Sequence, residues 1–404
     1  MIASMPPRWR RLAIFAWAQS IAGAMLPVHM ILGGLVGQLL ADEALLATLP
    51  ISMMVAGSML GAPAISALMA RAGRRSGFLA AGATGVTGAF LAVHAIDQQS
   101  FALYCAASMM IGVYIAGQNL YRFAVAEGAD PAFRARAIGL VLGGGLVAAL
   151  VGPELVKTFG DALEPVPYAG AYAATGVVML LGVLPFVLLA PVGTSAGPSE
   201  GRPAPAMPLM RAVARPRVAV AIFCGMVTYA SMTLMMTSTP LAMLACGFAT
   251  GASADVVRAH VLAMFAPSFV TGSIVARFGP EWVIAAGLFC VALAVGIGLS
   301  GIALANFYGA LILLGLGWNL GFIGSTAMLA EAAPEGAGPR LEGANDFAMM
   351  ALVLVASLGS GAMLNAFGWE AVQAAMLPMV TLAMAALAWL HLSRRNDSAD
   401  AGPA

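Results

Sequence analysis

Four short constellations place side chains able to bind through hydrogen bonds and ring faces inside otherwise apolar stretches. Gln118, Tyr121 and Arg122 fall at i, i+3 and i+4, the spacing of one helical face, with Asn119 beside them. Tyr229, Thr233 and Thr237 form a second stripe at i, i+4 and i+8. Trp318 and Asn319 are adjacent, with Phe322 on the asparagine's face, and Gln19 lies near the middle of the first apolar run. The chemistry on offer is noncovalent: amides that donate and accept, rings that stack and, apart from Arg122, no fixed charge. Such a lining suits a flat neutral heterocycle with hydroxyl groups better than an amino acid or a phosphate.

Each of these residues also has a plainer role open to it. Thr233 and Thr237 can bond back to carbonyls of their own helix, and the packing role is preferred for both. Trp318 and Tyr229 can be interfacial anchors, although both stand several residues from a helix end. Gln19, Gln118 and Asn319 have no cheap local partner, which turns them towards a cavity. Arg122 either faces that cavity or pairs with Glu127 at its rim. His29, beyond Pro27, reads as a packing residue before a proton carrier. The four histidines are dispersed, Cys105, Cys224, Cys246 and Cys290 stand singly, and no phosphate loop or nucleophile set occurs. Neither catalysis, a metal nor a cofactor is expected.

The elements that hold these residues follow from composition. The chain has 404 residues, 61% hydrophobic and 9% charged, where a soluble domain carries roughly 25% charged residues. It reads as an all-α membrane protein, with no nucleic-acid partner at a net charge of +1. A crossing helix needs about 20 apolar residues, and twelve runs qualify: 12–37, 44–70, 77–96, 101–125, 137–157, 168–190, 217–243, 258–276, 281–301, 305–329, 343–366 and 369–392. The first is preceded by Arg8, Arg10 and Arg11 and contains Ala22-Gly23-Ala24, but it continues too far for a signal-peptide core and reads as an uncleaved helix.

Basic residues set the orientation. With the N-terminus inside, sixteen arginines fall on the inner side and only Lys157 and Arg258 on the outer, leaving Arg122 within a helix. Cytoplasmic loops collect such residues, so both termini are expected in the cytoplasm of a bacterial inner membrane. The stretch 191–216, rich in Pro, Gly and Ser, reads as a flexible cytoplasmic linker between a six-helix bundle at 1–190 and another at 217–404. The halves echo each other. Ser66-x-Leu68-x-Ala70-Arg71-x-Gly73 corresponds to Gly272-x-Ile274-x-Ala276-Arg277-x-Gly279, and Ala126-Glu127 followed by Arg134 corresponds to Ala330-Glu331 followed by Arg340. Two pseudo-symmetric six-helix bundles around a midplane site are the architecture of alternating-access transporters.

The count of six and six, the central linker and the 66–75 loop resemble the major facilitator superfamily along the whole chain. That family's loop signature is Gly-x-Leu-x-Asp-Arg-x-Gly-Arg-Arg; here Leu68, Arg71, Gly73, Arg74 and Arg75 are kept, with Ser66 for the glycine and Ala70 for the aspartate. More narrowly, "YRFAVAEGADPAFRARAIG" (121–139), "HVLAMFAPSFVTGSIVARFG" (260–279) and "GANDF" (343–347) are similar to a bacterial branch that includes riboflavin transporters. The functional reading of the loop is a cytoplasmic latch in which Arg74 or Arg75 pairs with Glu127; in the family the aspartate lost at position 70 contacts the start of the eleventh helix, and Asp346 near that start is the expected partner of Arg71. Arg277 and Glu331 are their counterparts in the second half. The bland reading is that the arginines serve topology alone.

No carboxylate falls in the central section of a run, so proton coupling is not evident. Gly152-Pro153 retains part of the family's antiporter motif; it reads as close packing and a kink. The expectation is a monomeric, alternating-access carrier of a small neutral aromatic solute in the lipid bilayer, with riboflavin uptake foremost. A drug or metabolite exporter and a transport-inactive receptor are the alternatives.

Overall fold

The computed structural model describes residues 6–126, 131–189, 208–333 and 338–400, which are helices joined by short turns. In order they are α1 (Pro7–Ile21), α2 (Met25–Leu40), α3 (Leu49–Asp97), α4 (Phe101–Asn119), α5 (Tyr121–Ala126), α6 (Pro131–Phe159) and α7 (Ala169–Val183). There follow α8 (Leu209–Val213), α9 (Pro216–Ala245), α10 (Thr250–Phe265), α11 (Ser268–Phe278), α12 (Pro280–Leu299), α13 (Leu304–Ala332) and α14 (Gly338–Asp400). No strand occurs among the described residues.

Among the described residues each of the twelve apolar runs falls on helix. Among the described residues nine stretches are long and apolar enough to cross a membrane, and the bent pair α10–α11 makes a tenth. One of the nine, Ala344–Ser393, turns at Gly368 and holds two crossings. α6, several of whose side chains lie outside the description, completes twelve. Of the expected linker, residues 191–207 lie outside the described residues, and part of the remainder is ordered as α8.

The duplicated motif has a duplicated backbone. Gly73 inside α3 has φ 82° and ψ 162°, and Gly279 between α11 and α12 has φ 82° and ψ 154°. A Cβ at either position would meet no atom within 4 Å. The dihedral, and not crowding, therefore requires glycine. Elsewhere glycines let backbones touch, as small residues do where lipid supplies no hydrophobic drive between helices. A Cβ on Gly112 of α4 would strike the Met54 carbonyl of α3, and one on Gly57 of α3 would strike the Met109 carbonyl in return.

Candidate functional site

The first span tightens at mid-length. α1 gives way to a 3-10 turn at Ala22–Ala24 before α2 resumes. Pro27 has no N–H for the Gly23 carbonyl, and the Met25 N–H reaches back only to the nearer carbonyls of the turn. Over this turn two amides converge: a Cβ built on Gly23 would lie 3.0 Å from Gln118 Nε2 and 4.0 Å from Gln19 Nε2.

The glycine run of α6 lies against this point. A Cβ on Gly144 would stand 3.1 Å from Gln19 Cβ. One on Gly145 would stand 3.5 Å from the Phe265 ring at the end of α10, and one on Gly143 3.2 Å from the Phe269 ring of α11. The glycines thus admit the first span on one side and two phenylalanines on the other. Beyond Phe265 lies an aromatic cluster. Trp318 and Phe322 stack at 4.9 Å with planes 7° apart, Tyr229 stands edge-on to them at 5.6 and 5.9 Å, and Phe265 lies 6.3 Å from Trp318. Trp318 is 8% exposed, and its indole N–H is buried with no hydrogen-bond acceptor among the described residues. A buried donor without a partner costs about 1–3 kcal/mol, and a ligand carbonyl would relieve it.

The structure therefore gathers Gln19 with Gln118, and Tyr229 with Trp318, as two half-sites divided by α6. The other expected ligand residues stand apart. Asn119 is exposed at the end of α4. Tyr121 is 2% exposed in an aromatic core with Phe15, Phe78 and Phe186, with centroids 5.1–5.6 Å apart. The chain turns at Leu120 between α4 and α5, so the helical phase that aligned Tyr121 with Gln118 is interrupted. Asn319 is fully buried with its amide already consumed: Nδ2 donates to Met264 O and Ser268 Oγ, and Oδ1 accepts from Thr271 Oγ1, each at 2.6 Å. Thr233 bonds back to Tyr229 O at 3.0 Å, whereas the buried Thr237 hydroxyl has no such partner. His29 is fully buried with Nδ1 2.9 Å from the Tyr172 hydroxyl, itself 2.6 Å from that of Tyr104.

The expected gating residues that are described lie at the arginine-rich end. Arg71 is exposed, and no ion pair joins it to a described residue. Arg74 and Arg75 are half-buried, Arg74 lying 3.7 Å from the Met69 sulfur. Asp346 is exposed and accepts from Asn345 at 3.3 Å. Arg277 lies 5.3 Å over the Phe278 ring. Glu331 pairs with Arg217 at 2.7 Å, which also reaches Glu281 at 3.4 Å, a partner outside the expected set. Glu127 and the Arg122 side chain lie outside the described residues.

The opposite end joins the two halves by polar contacts. Glu154 meets Arg258 at 2.7 Å and Lys157 meets Asp255 at 3.0 Å, α6 against α10. Thr48 and Ser52 of the first half bond Ser357 of α14, the Gly361 N–H donates to Thr48 Oγ1, and Asn365 donates to Ala44 O. The ion pairs had a signal in the sequence: Lys157 and Arg258, the two basic residues expected on that side, each follow an acidic residue by three positions. Among the described residues no three His, Cys, Asp or Glu side chains are grouped to hold a metal.

A family model for sugar (and other) transporters matches residues 34–189. Riboflavin transporter RfnT of Brucella anthropi is 37% identical over 396 residues, covering 97% of this chain and 98% of that protein. The uncharacterized MFS-type transporter YddS of Bacillus subtilis is 28% identical over 354 residues, 83% of this chain and 80% of that one. Among solved structures, the nucleoside transporter NupG superposes with a TM-score of 0.73 at 12% identity, covering 95% of this chain and 99% of that one. An auto-inhibited POT family peptide transporter gives 0.68 at 12% identity, covering 96% and 97%. At that identity the structural likeness is one of fold.

Proposed function

The chain belongs to the major facilitator superfamily, and from that premise we propose that it carries riboflavin into the cell. The observation that carries this reading is the 37% identity, over nearly the full length of both chains, to a riboflavin transporter. The site chemistry supports it. Riboflavin joins a flat ring system with carbonyl acceptors to a polyhydroxylated chain. The Trp318, Phe322, Tyr229 and Phe265 rings offer stacking faces and the unpartnered Trp318 N–H an acceptor's counterpart, while Gln19 and Gln118 offer amides for hydroxyls.

The carrier works as a monomer in the bacterial inner membrane with both termini cytoplasmic, so the arginine-rich end is the cytoplasmic one. The halves 1–190 and 217–404 rock about the site, coupled through the linker. On this reading the contacts of Thr48, Ser52, Glu154 and Lys157 lie at the periplasmic end and close it. Arg71 with Asp346, and Arg74 or Arg75 with Glu127, close the cytoplasmic end in the alternate state. Arg122 lines the inner rim, and Arg277 and Glu331 brace the equivalent corner of the second half.

The test is expression in a riboflavin-auxotrophic bacterium lacking its own importer. Growth at low external riboflavin, abolished by Trp318→Ala with the protein still in the membrane, is the expected result. No growth would withdraw riboflavin uptake and leave export of a similar aromatic compound as the reading to pursue.

A further inference from the structure

The span α10–α11 is bent by 41° at Pro267. Its backbone explains why such a break is costly in a membrane. Pro267 has no N–H for the Ala263 carbonyl, and Ser268 begins a new helix after a two-residue turn. With no water in the hydrocarbon, freed carbonyls need partners from within the protein. Asn319 of α13 braces the α10 side of the break: its Nδ2 donates to Met264 O, one residue beyond the carbonyl that Pro267 leaves. The same side chain reaches across the break to Ser268 Oγ and Thr271 Oγ1 in the first turn of α11, the single Thr271 hydroxyl proton being shared between Asn319 Oδ1 and Pro267 O at 2.9 Å. The Met264 carbonyl only accepts, so the amide orientation is fixed.

We infer that Asn319 is a positioning residue, the splint of a hinge whose bend sets how α11 lies at the cytoplasmic mouth, and not a substrate ligand. α10 and α11 are held differently. α10 is tied to the first half by Asp255 and Arg258 at its far end and by Phe265 against Gly145. In α11 only Thr271 is buried, with Phe269 61% exposed, and the polar bonds to Asn319 anchor its first turn. The hinge also adjoins the aromatic half-site. Phe265 is the last residue of α10, and Trp318, next to Asn319 in sequence, faces it at 6.3 Å. A solute wedged against those two rings bears on the residues flanking the break, which couples occupancy to the bend. The inference rests on the transporter reading but not on which solute is carried.

The experiment compares the unmodified chain with Asn319→Leu, near in volume but without donors, in lipid nanodiscs and proteoliposomes. Amide hydrogen exchange over 268–278 should rise at least fivefold in the variant, with α12 and α13 unchanged. Riboflavin counterflow should fall at least tenfold while its equilibrium Kd stays within twofold. If Asn319→Leu does not fold, Ser268→Ala combined with Thr271→Val removes two of the three bonds and leaves Asn319 in place, with the same expectations. A Kd that worsens in step with counterflow would make Asn319 a ligand, and unchanged amide exchange would remove the splint; either overturns the inference. If the unmodified chain does not bind riboflavin, the solute assignment fails, and amide exchange still decides the hinge.

Discussion

Neutralising the far-end cations, Lys157→Gln with Arg258→Gln, should loosen closure on that side by a calculable amount. The side chains of the two pairs are 24 to 59% exposed, so each pair is screened by solvent. Pairs of this kind contribute about 0.2–1 kcal/mol each. The two together hold the closed form by about 0.4–2 kcal/mol, and since about 1.4 kcal/mol is tenfold, their loss raises the far-open population roughly 2- to 30-fold. The reporter is Ser52→Cys in a chain with the four native cysteines replaced. Ser52 is fully buried, with its hydroxyl 2.8 Å from that of Ser357, so a polar thiol reagent reaches it only when α3 and α14 separate. The labelling rate should rise by the factor above. Inverting all four charges, with Glu154→Lys, Lys157→Glu, Asp255→Lys and Arg258→Glu, preserves each pair across the interface with its sign reversed and should return the rate to within twofold of the reporter alone. A rate indifferent to neutralisation, or one that inversion does not restore, would refute the claim that these pairs hold the end shut.

Two further outcomes follow from packing. Gly112→Ala forces a methyl into the Met54 carbonyl where α3 and α4 touch, a fault of about 1–3 kcal/mol; melting in detergent should fall, and an unchanged melting temperature would mean the backbones separate freely. Tyr121→Ala empties the Phe15, Phe78 and Phe186 cluster at a cost of about 3–5 kcal/mol, so thermal stability should drop while the riboflavin Kd of the folded fraction holds within twofold, and a selective loss of binding would return Tyr121 to the site.

The twelve runs were legible because the bilayer imposes a one-dimensional test: a segment is long and apolar enough or it is not. The repeated motif was legible too, since only glycine takes the φ of 82° found at both Gly73 and Gly279. The proximity of Gln19 to Gln118, and of Trp318 to Tyr229, agrees with residue types that gain little by facing lipid mid-span. Side-chain direction was less readable, because it depends on helical phase and phase survives only while the helix does. Leu120 resets it and turns Tyr121 into the bundle core; Pro267 resets it, and Asn319 is spent on bonds that span the break, to Met264 O and Ser268 Oγ. The far-end pairs were visible as charges but not as partners, since their meeting depends on how close the α6 glycines let α10 approach. The errors thus fall at interruptions of regular helix. Those interruptions lie where the candidate site gathers, because a broken helix inside a membrane frees backbone groups and directs side chains that an unbroken one would turn elsewhere.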